Sequence, residues 1–290
     1  MAGNTVAQTA FGPMVLAAVE QHEPLDRRLV NDDLAAAFLP AGLRALVAAT
    51  GWAPARHTLI AASERSARGM WATMAARKRY IDDNLYAALN DIDAVVVLGA
   101  GLDTRGCRLA WTTEIPVFEV DQPVNVERKH AVMTRVFGAT PPLVRQVPID
   151  FERDALLSTL RAHGYPPDAR TFVVWEGVTQ YLSADAVIAT LEQLRAAPAG
   201  SLLDFTYVQR DFIEGVDISA APSLYRRFCE RNRIWKFGLR PQEVAGLLDD
   251  HGWRLVDQLG PDQVRERYVR PTGRNLATSN LEWSALAEKV

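Results

Sequence analysis

The sequence predicts an α/β protein with a doubly wound, largely parallel sheet. Short apolar runs from residue 94 onwards end in glycine or in an acid, which is typical of strands buried on both faces. Helical patterns alternate with these runs, and this alternation is typical of consecutive βαβ units.

Residues 1–90 have helical patterns. The Ala/Leu-rich stretch "DDLAAAFLPAGLRALVAA" is broken at Pro40, because proline interrupts a helix. The stretch "SARGMWATMAARKRYIDDNLYAAL" has apolar residues at helical spacing up to Leu89. We therefore expect an N-terminal helical extension over 1–90 and an α/β domain over 91–290.

Four predicted strands follow in order along the chain: "DAVVVLG", "IPVFEVD", "VRQVPID" and "TFVVWEG". "SLLDFTYV" and "WRLVDQL" are later strands. Ser183 is suited to cap a helix, and the side chains expected on one face of that helix are Val187, Ile188, Leu191 and Leu194. Pro241 and Gly252 suit the start and the end of a further helix. The segment near 209–240 is interpreted as an inserted helical lid.

Composition narrows the class of protein. The chain has 290 residues, 48% hydrophobic and 23% charged, and a net charge of −3, which gives no general attraction to nucleic acid. No apolar run approaches the roughly 20 residues of a membrane span, and the N-terminus lacks the pattern of a signal peptide. Two cysteines without a Cys/His cluster argue against disulfides and structural zinc. We expect a cytoplasmic monomer or homodimer without a metal.

The glycine loop "VVVLGAGLDTRGCRL" holds the first ligand signal. A dinucleotide fingerprint needs a third glycine, but Thr104 stands there. Asp121 lies 20 residues after Gly101, where an acid that binds ribose is expected. Asp103 would repel a pyrophosphate, and no P-loop motif follows. The loop therefore favours a nucleoside without phosphates.

Three successive predicted strands end in Asp121, Asp150 and Glu176. Ligands of such sheets bind at the carboxyl ends of the strands, so these acids are expected at one edge. Acids are common in loops, but three in succession favour a site. S-adenosylmethionine, with ribose hydroxyls, an ammonium and a sulfonium, suits such a pocket.

The ordered motifs "VVVLGAGLDTRGCRL", "VFEVDQPVNVERKHAVM", "VPIDFERD" and "FVVWEGVTQYLSADAV" resemble those of the leucine carboxyl methyltransferase-like family. The upstream "AARKRYIDDNL" is similar to its bacterial branch. The resemblance covers about residues 5–257. It implies a class I (Rossmann-like) methyltransferase fold, S-adenosyl-L-methionine as cofactor and S-adenosyl-L-homocysteine as product.

The resemblance also implies roles for individual residues. Asp121 would bind the ribose hydroxyls, Asp150 the adenine amine, and Glu176 would lie near the amino acid end of the cofactor. The full set of expected cofactor-binding residues is Arg77, Gly99, Ala100, Gly101, Asp103, Asp121, Gln122, Asp150, Phe151, Glu176 and Gly177. Tyr181 is the candidate for the transfer site, although it could also cover the start of a helix.

Some alternatives stay open at this stage. Arg79 could replace Arg77 as the clamp of the cofactor carboxylate. Asp103 could simply pair with Arg105. Glu119 alternates to the other face of its strand, and Lys129 is expected at the surface.

The predicted lid contains "SLYRRFCERNRIWKFGLRP", a segment rich in arginine and aromatic residues. One hypothesis is that it offers aromatic surface and positive charge to an aromatic acid; the other is an amphipathic helix with solvated arginines. The expected substrate residues are Arg231, Arg233, Trp235 and, near the C-terminus, Arg274. None of the five histidines falls in a motif that marks it as a base.

The sequence favours an S-adenosylmethionine-dependent O-methyltransferase that acts on a carboxylate or hydroxyl of a small molecule, such as a polyketide or an aromatic compound, in secondary metabolism. A methyltransferase of protein or peptide C-terminal carboxylates is the alternative enzyme. A cofactor-binding regulator without catalysis is a further alternative. A nicotinamide dehydrogenase is disfavoured by Thr104 and by the late position of the loop.

Overall fold

The computed structural model describes residues 11–290, so the first ten residues of the extension predicted over 1–90 lie outside the described residues. The α-helices are α1 (Phe11–Glu20), α2 (Ala35–Phe38), α3 (Ala41–Ala49), α4 (Ala53–Ser66), α5 (Met70–Ala88), α6 (Arg105–Leu109), α7 (Pro123–Phe137), α8 (Leu156–Ala162), α9 (Ala184–Leu194), α10 (Arg210–Ile213), α11 (Pro222–Tyr225), α12 (Val244–Asp250) and α13 (Pro261–Val264). None of the helices within 11–290 combines the length and the apolar character that crossing a bilayer requires.

The strands are β1 (Ala94–Leu98), β2 (Val117–Asp121), β3 (Val144–Pro148), β4 (Thr171–Trp175), β5 (Leu202–Val208), β6 (Trp253–Leu259) and β7 (Glu282–Lys289). Shorter 3₁₀ turns are Leu25–Arg27, Thr179–Tyr181, Pro241–Glu243 and Arg270–Thr272, and two π-helical segments are Arg226–Arg231 and Arg265–Val269.

The seven strands form one sheet in the order β3-β2-β1-β4-β5-β7-β6. Strands β1 to β5 are parallel, while β7 runs antiparallel between β5 and β6. This is the Rossmann order with one antiparallel strand inserted near the edge. The doubly wound, mostly parallel fold of a class I methyltransferase is thus confirmed, and all six predicted strands are present. The sequence analysis missed β7, whose run "EWSALAEK" mixes charged and apolar residues.

Strand β1 is buried on both faces. Its Val95 and Val97 belong to a hydrophobic core shared with the N-terminal helices, whereas Val96 and Leu98 belong to the core on the opposite face. This arrangement explains why the strand is apolar without alternation. It also means that the N-terminal helices pack directly on the sheet.

Helix signals in the sequence were accurate to a few residues. Pro40 separates α2 from α3, and Ser183 Oγ accepts from Ala186 N at the start of α9. The predicted apolar face of α9 needs one correction. Ile188 is exposed, because the turn of the helix carries it away from Val187 and Leu191, which are buried.

The segment 209–240 leaves and rejoins the sheet at one place. Arg210 N donates to Leu239 O (3.1 Å), and Leu239 N donates to Val208 O (3.0 Å). Between these points lie α10, α11 and the π-helical segment Arg226–Arg231. The insertion packs through a separate hydrophobic cluster that includes Met70, Val208 and Leu281. It is therefore held over the carboxyl end of the sheet.

Candidate active site

A cavity of about 490 Å³ lies at the carboxyl ends of β1, β2 and β4, beneath the insertion. Its volume is in the range of cavities that hold small ligands. The sequence-predicted residues that line it are Arg77, Gly99, Ala100, Gly101, Asp103, Asp121, Gln122, Phe151, Glu176, Gly177, Tyr181 and Trp235. The strand ends meet here because parallel strands direct their carboxyl ends to one edge.

The glycine loop makes a tight turn against the end of β2. Gly99 has φ +66°, and a Cβ at this position would lie 2.3 Å from Val178 Cγ2. A larger residue is therefore excluded by backbone conformation and by space. Gly101 N donates to Asp121 Oδ2 at 2.5 Å, so the loop and the ribose-acid candidate are joined directly.

Asp121 is buried and well supported. Its Oδ1 accepts from Gln122 N (2.7 Å) and from Asn125 Nδ2 (2.8 Å). A carboxylate held by such donors has a defined orientation at the cavity wall, and its remaining lone pairs can accept from hydroxyl groups. Asn125 also lines the cavity.

Glu176 lies at the centre of a buried network of charges. Its Oε1 is 2.8 Å from Arg77 Nε, and its Oε2 is 2.6 Å from Arg105 Nη1. Arg77 Nη1 also contacts Glu282 Oε1 at 2.5 Å. Both arginines are therefore engaged by carboxylates from different parts of the chain.

The balance of charge sets the protonation states. Burial alone would raise the pKa of Glu176, but Lys78, Arg105 and Arg77 outweigh it and hold that pKa well below its usual range. Burial would lower the pKa of Arg77, but Glu282 and Glu176 raise it above its usual value. Glu176 and Arg77 are therefore both ionised near neutral pH, so Glu176 is not a general base there.

The two candidate arginines lie in different surroundings. Arg77 is buried at the cavity, whereas the side chain of Arg79 is 41% exposed and pairs with Asp83 one helical turn away (2.6 Å). Asp103 does pair with Arg105, as the alternative reading proposed, and it also lines the cavity.

Four predicted site residues are not brought to the cavity wall. Asp150 is partly exposed, and its Oδ2 lies 3.7 Å from Arg153 Nε. Arg231 and Arg233 are exposed on the insertion. Arg274 instead donates to Glu20 Oε2 (2.7 Å), so it ties the C-terminal region to α1. Its long side chain was expected to reach the pocket, but Glu20, a fully buried carboxylate, holds it away.

Lys129 was expected at the surface, but it is buried. Its side chain is 2% exposed, and its Nζ lies 2.8 Å from Glu119 Oε1. Helix α7 packs back on β2, which brings the amine to the inward face of the strand. Glu119, correctly placed on the face away from the ligand, requires a buried cation as its partner.

The insertion contributes an aromatic wall. Trp235 stacks on Phe228 with ring centroids 4.9 Å apart. The ring centroids of Trp235 and Tyr181 lie 6.5 Å apart in an edge-to-face arrangement. Lys236 N donates to Gln180 O (2.7 Å), which fastens the insertion to the 3₁₀ turn that carries Tyr181. The expected lid is therefore joined to the candidate transfer site.

Sequence reasoning missed several residues that line the cavity: Met70, Met74, Lys78, Asn125, Gln180, Arg227, Phe228, Leu281 and Glu282. Two of these residues could have been found from the sequence. Lys78 directly follows Arg77, and Arg227 belongs to the arginine-rich segment of the predicted lid. Leu281 and Glu282 had no such signal, because Leu281 directly precedes the missed strand β7 and Glu282 begins it. Within residues 11–290, no group of three His, Cys, Asp or Glu side chains could hold a metal ion.

Comparison with known proteins gives the family. Residues 10–195 match the model of the leucine carboxyl methyltransferase family. A Frankia alni protein, provisionally named an S-adenosyl-L-methionine-dependent methyltransferase, is 32% identical over 252 residues, which cover 85% of this chain and 82% of the relative. A Mycobacterium tuberculosis protein of the same description is 32% identical over 209 residues, 68% of this chain and 65% of the relative.

A solved structure supports the fold. The crystal structure of a duf574 family protein from Streptomyces avermitilis aligns with a TM-score of 0.55 at 18% identity, over 82% of this chain and 91% of that one. The family model spans more than half of the chain, and the Frankia relative aligns over most of its length. The chain therefore belongs to the leucine carboxyl methyltransferase family.

Proposed function

We propose that this protein binds S-adenosyl-L-methionine in the cavity and transfers its methyl group to an oxygen of a small molecule beneath the insertion. S-adenosyl-L-methionine-dependent methyl transfer follows from the family and its relatives; the proposal concerns the oxygen acceptor and its size. One observation carries it: the glycine loop, Asp121, Tyr181 and the aromatic wall line the same cavity.

The residues present fit the cofactor. Asp121 offers carboxylate oxygens to ribose hydroxyls, which are donors. The backbone of Gly99 and Gly101, both at positive φ, allows close approach. Arg77 and Glu176 present opposite charges at the wall, which suits a molecule that carries both a carboxylate and an ammonium. Phe151 lines the cavity, and Asp150, next to it in the chain, remains the proposed partner of the adenine amine.

The cofactor supplies a methyl group bonded to a positively charged sulfur. In the reaction, a bond forms between the acceptor oxygen and the methyl carbon, and the carbon–sulfur bond breaks. The protein has to align the acceptor and exclude water. The aromatic wall and Tyr181 line the cavity together, so both are available to contact the acceptor. A carboxylate acceptor needs no base, whereas a hydroxyl releases a proton.

Two measurements test this function. Calorimetry should show binding of S-adenosyl-L-methionine and of S-adenosyl-L-homocysteine; absence of both would remove the cofactor assignment. Methyl transfer from labelled cofactor should then be measured with carboxylic acids and with phenols of matched size. Alkali hydrolyses a methyl ester but leaves an aryl methyl ether intact, so the stability of the product identifies the acceptor oxygen.

The alternative enzyme acts on a protein or peptide carboxylate, and the description of the family model favours keeping it. A peptide that ends in leucine, assayed beside the small acids, separates the two. Labelling of the peptide alone would overturn the small-molecule proposal. Cofactor binding without transfer to any acceptor would favour the non-catalytic regulator.

A further inference from the structure

One side of the cavity differs from the cofactor side in chemistry. We call it the acceptor wall, and it consists of Met70, Met74, Val208, Leu224, Arg227, Phe228, Trp235 and Leu281. Most of these side chains belong to the hydrophobic cluster that attaches the insertion to the sheet. Methionines adapt to ligand shape, and aromatic rings stack on flat groups. The wall therefore suits a flat, largely apolar molecule.

Arg227 is the charged member of the acceptor wall. Its guanidinium lies over the Phe228 ring, 5.1 Å from the centroid. Across the described chain, 11–290, no carboxylate lies within ion-pair distance of it, whereas Arg240 in the same insertion pairs with Asp211 at 2.7 Å. An exposed cation at the mouth of an apolar cavity is suited to hold the anionic group of a ligand.

Two buried polar atoms beside this wall lack partners. Gln180 Oε1 and Trp235 Nε1 make no hydrogen bond among the residues that the structure describes, and Gln180 is 5% exposed. One atom is an acceptor and the other a donor. A hydroxyl group can donate to the first and accept from the second, whereas a carboxylate can only accept. Such a ligand would relieve the cost of leaving both atoms unsatisfied.

Building on the proposed function, we propose that the methyl acceptor is a hydroxy-aromatic acid. Its ring lies against the acceptor wall, its carboxylate binds Arg227, and its hydroxyl is positioned by Gln180 and Trp235. Methylation forms the bond between the hydroxyl oxygen and the methyl carbon and breaks the carbon–sulfur bond, while the hydroxyl proton passes to solvent water at the open side of the cavity. This assignment moves the positive charge expected at Arg231 and Arg233 to Arg227, the residue that faces the cavity.

Binding of matched acceptors tests the proposal without requiring turnover. Calorimetry with S-adenosyl-L-homocysteine present would compare 6-hydroxy-2-naphthoate, whose two polar groups are too far apart to bond each other, with 2-naphthol and 2-naphthoate. We expect 6-hydroxy-2-naphthoate to bind roughly five- to tenfold more tightly than 2-naphthol, the range for a partly exposed charge-assisted contact. Arg227→Gln should abolish this preference, and Arg227→Lys should keep part of it. Arg226→Gln is the control, because Arg226 is exposed and outside the cavity wall.

Trp235→Phe tests the hydroxyl contact, since it keeps a ring for stacking but removes the indole N–H. It should weaken the binding of 6-hydroxy-2-naphthoate and 2-naphthol while leaving the binding of 2-naphthoate unchanged. Equal binding of all three compounds to the native protein, or an equal loss in the Arg226 and Arg227 variants, would overturn the assignment. So would failure of all three to bind. Loss of S-adenosyl-L-homocysteine binding, measured separately, would instead contradict the proposed function.

Discussion

Arg77 joins two carboxylates that are far apart in the sequence: its Nε lies 2.8 Å from Glu176 Oε1, and its Nη1 lies 2.5 Å from Glu282 Oε1. The three side chains come from α5, from the end of β4 and from the start of β7. One guanidinium therefore ties the N-terminal helices to two strands at the cavity.

Replacing Arg77 tests this relationship. Arg77→Met would leave Glu176 and Glu282 buried with less compensation, so we expect a loss of about 3–5 kcal/mol in the free energy of unfolding. Arg79→Met is the matched control, and it should cost no more than about 0.5 kcal/mol, since its pair with Asp83 is exposed. Urea denaturation of both variants measures the difference. If Arg77→Met lost as little free energy of unfolding as Arg79→Met, the buried network would not be needed for stability.

The two acids proposed for the nucleoside can be compared by affinity. Asp121→Asn should weaken the binding of S-adenosyl-L-homocysteine by roughly tenfold or more, because a buried carboxylate loses charge-assisted bonds. Asp150→Asn should weaken this binding less, since water competes for contacts with a side chain that is 39% exposed. Calorimetry gives both dissociation constants. The reverse order would mean that contacts with the adenine base contribute more to the affinity than contacts with the ribose.

The pair formed by Lys129 and Glu119 makes a prediction about stability alone. Lys129→Met would leave Glu119, which is 2% exposed, without its cation, at a cost of about 3–5 kcal/mol. Adding Glu119→Gln should recover much of this loss, because no unpaired charge remains. Urea denaturation of the single and double variants measures the recovery. If the double variant recovered no stability, packing of the methylene chain of Lys129, rather than its charge, would be what stabilises the fold here.

Asp204 predicts a dependence of stability on pH. Burial raises its pKa to about 8, although a hydrogen bond from Asn84 (2.7 Å) opposes this. The unfolded chain releases this proton near pH 3.8, and the folded chain keeps it until about pH 8. The unfolded state therefore binds fewer protons between these values, so this residue lowers stability as pH rises through that window.

Asp204→Asn should remove this contribution. Relative to the native protein, we expect the free energy of unfolding of the variant to increase by roughly 4 kcal/mol between pH 5 and pH 8. Unfolding should be followed by urea at both pH values, with the exposed Asp249→Asn as the control. A constant difference across this range would contradict a protonated Asp204 in the folded protein.

Local signals in the sequence were sufficient for the parallel half of the sheet. Apolar runs that end in Gly99, Asp121 and Glu176 identified buried strands and the edge where their ends meet. The family motifs lie on these same strand ends, so all but one of the predicted cofactor-binding residues line the cavity. Strand β7 was not predicted, because this antiparallel strand near the sheet edge contains no comparable apolar run.

The sequence by itself determined the fold class, the family and the residues at the carboxyl ends of the strands, because these depend on local patterns and ordered motifs. Only the tertiary structure decided which charges pair. It turned Arg77 rather than Arg79 toward the cavity, buried Lys129 against Glu119, and placed Arg227 rather than Arg231 at the acceptor wall. Neighbouring residues on a helix point in different directions, and what they meet depends on segments distant in the chain.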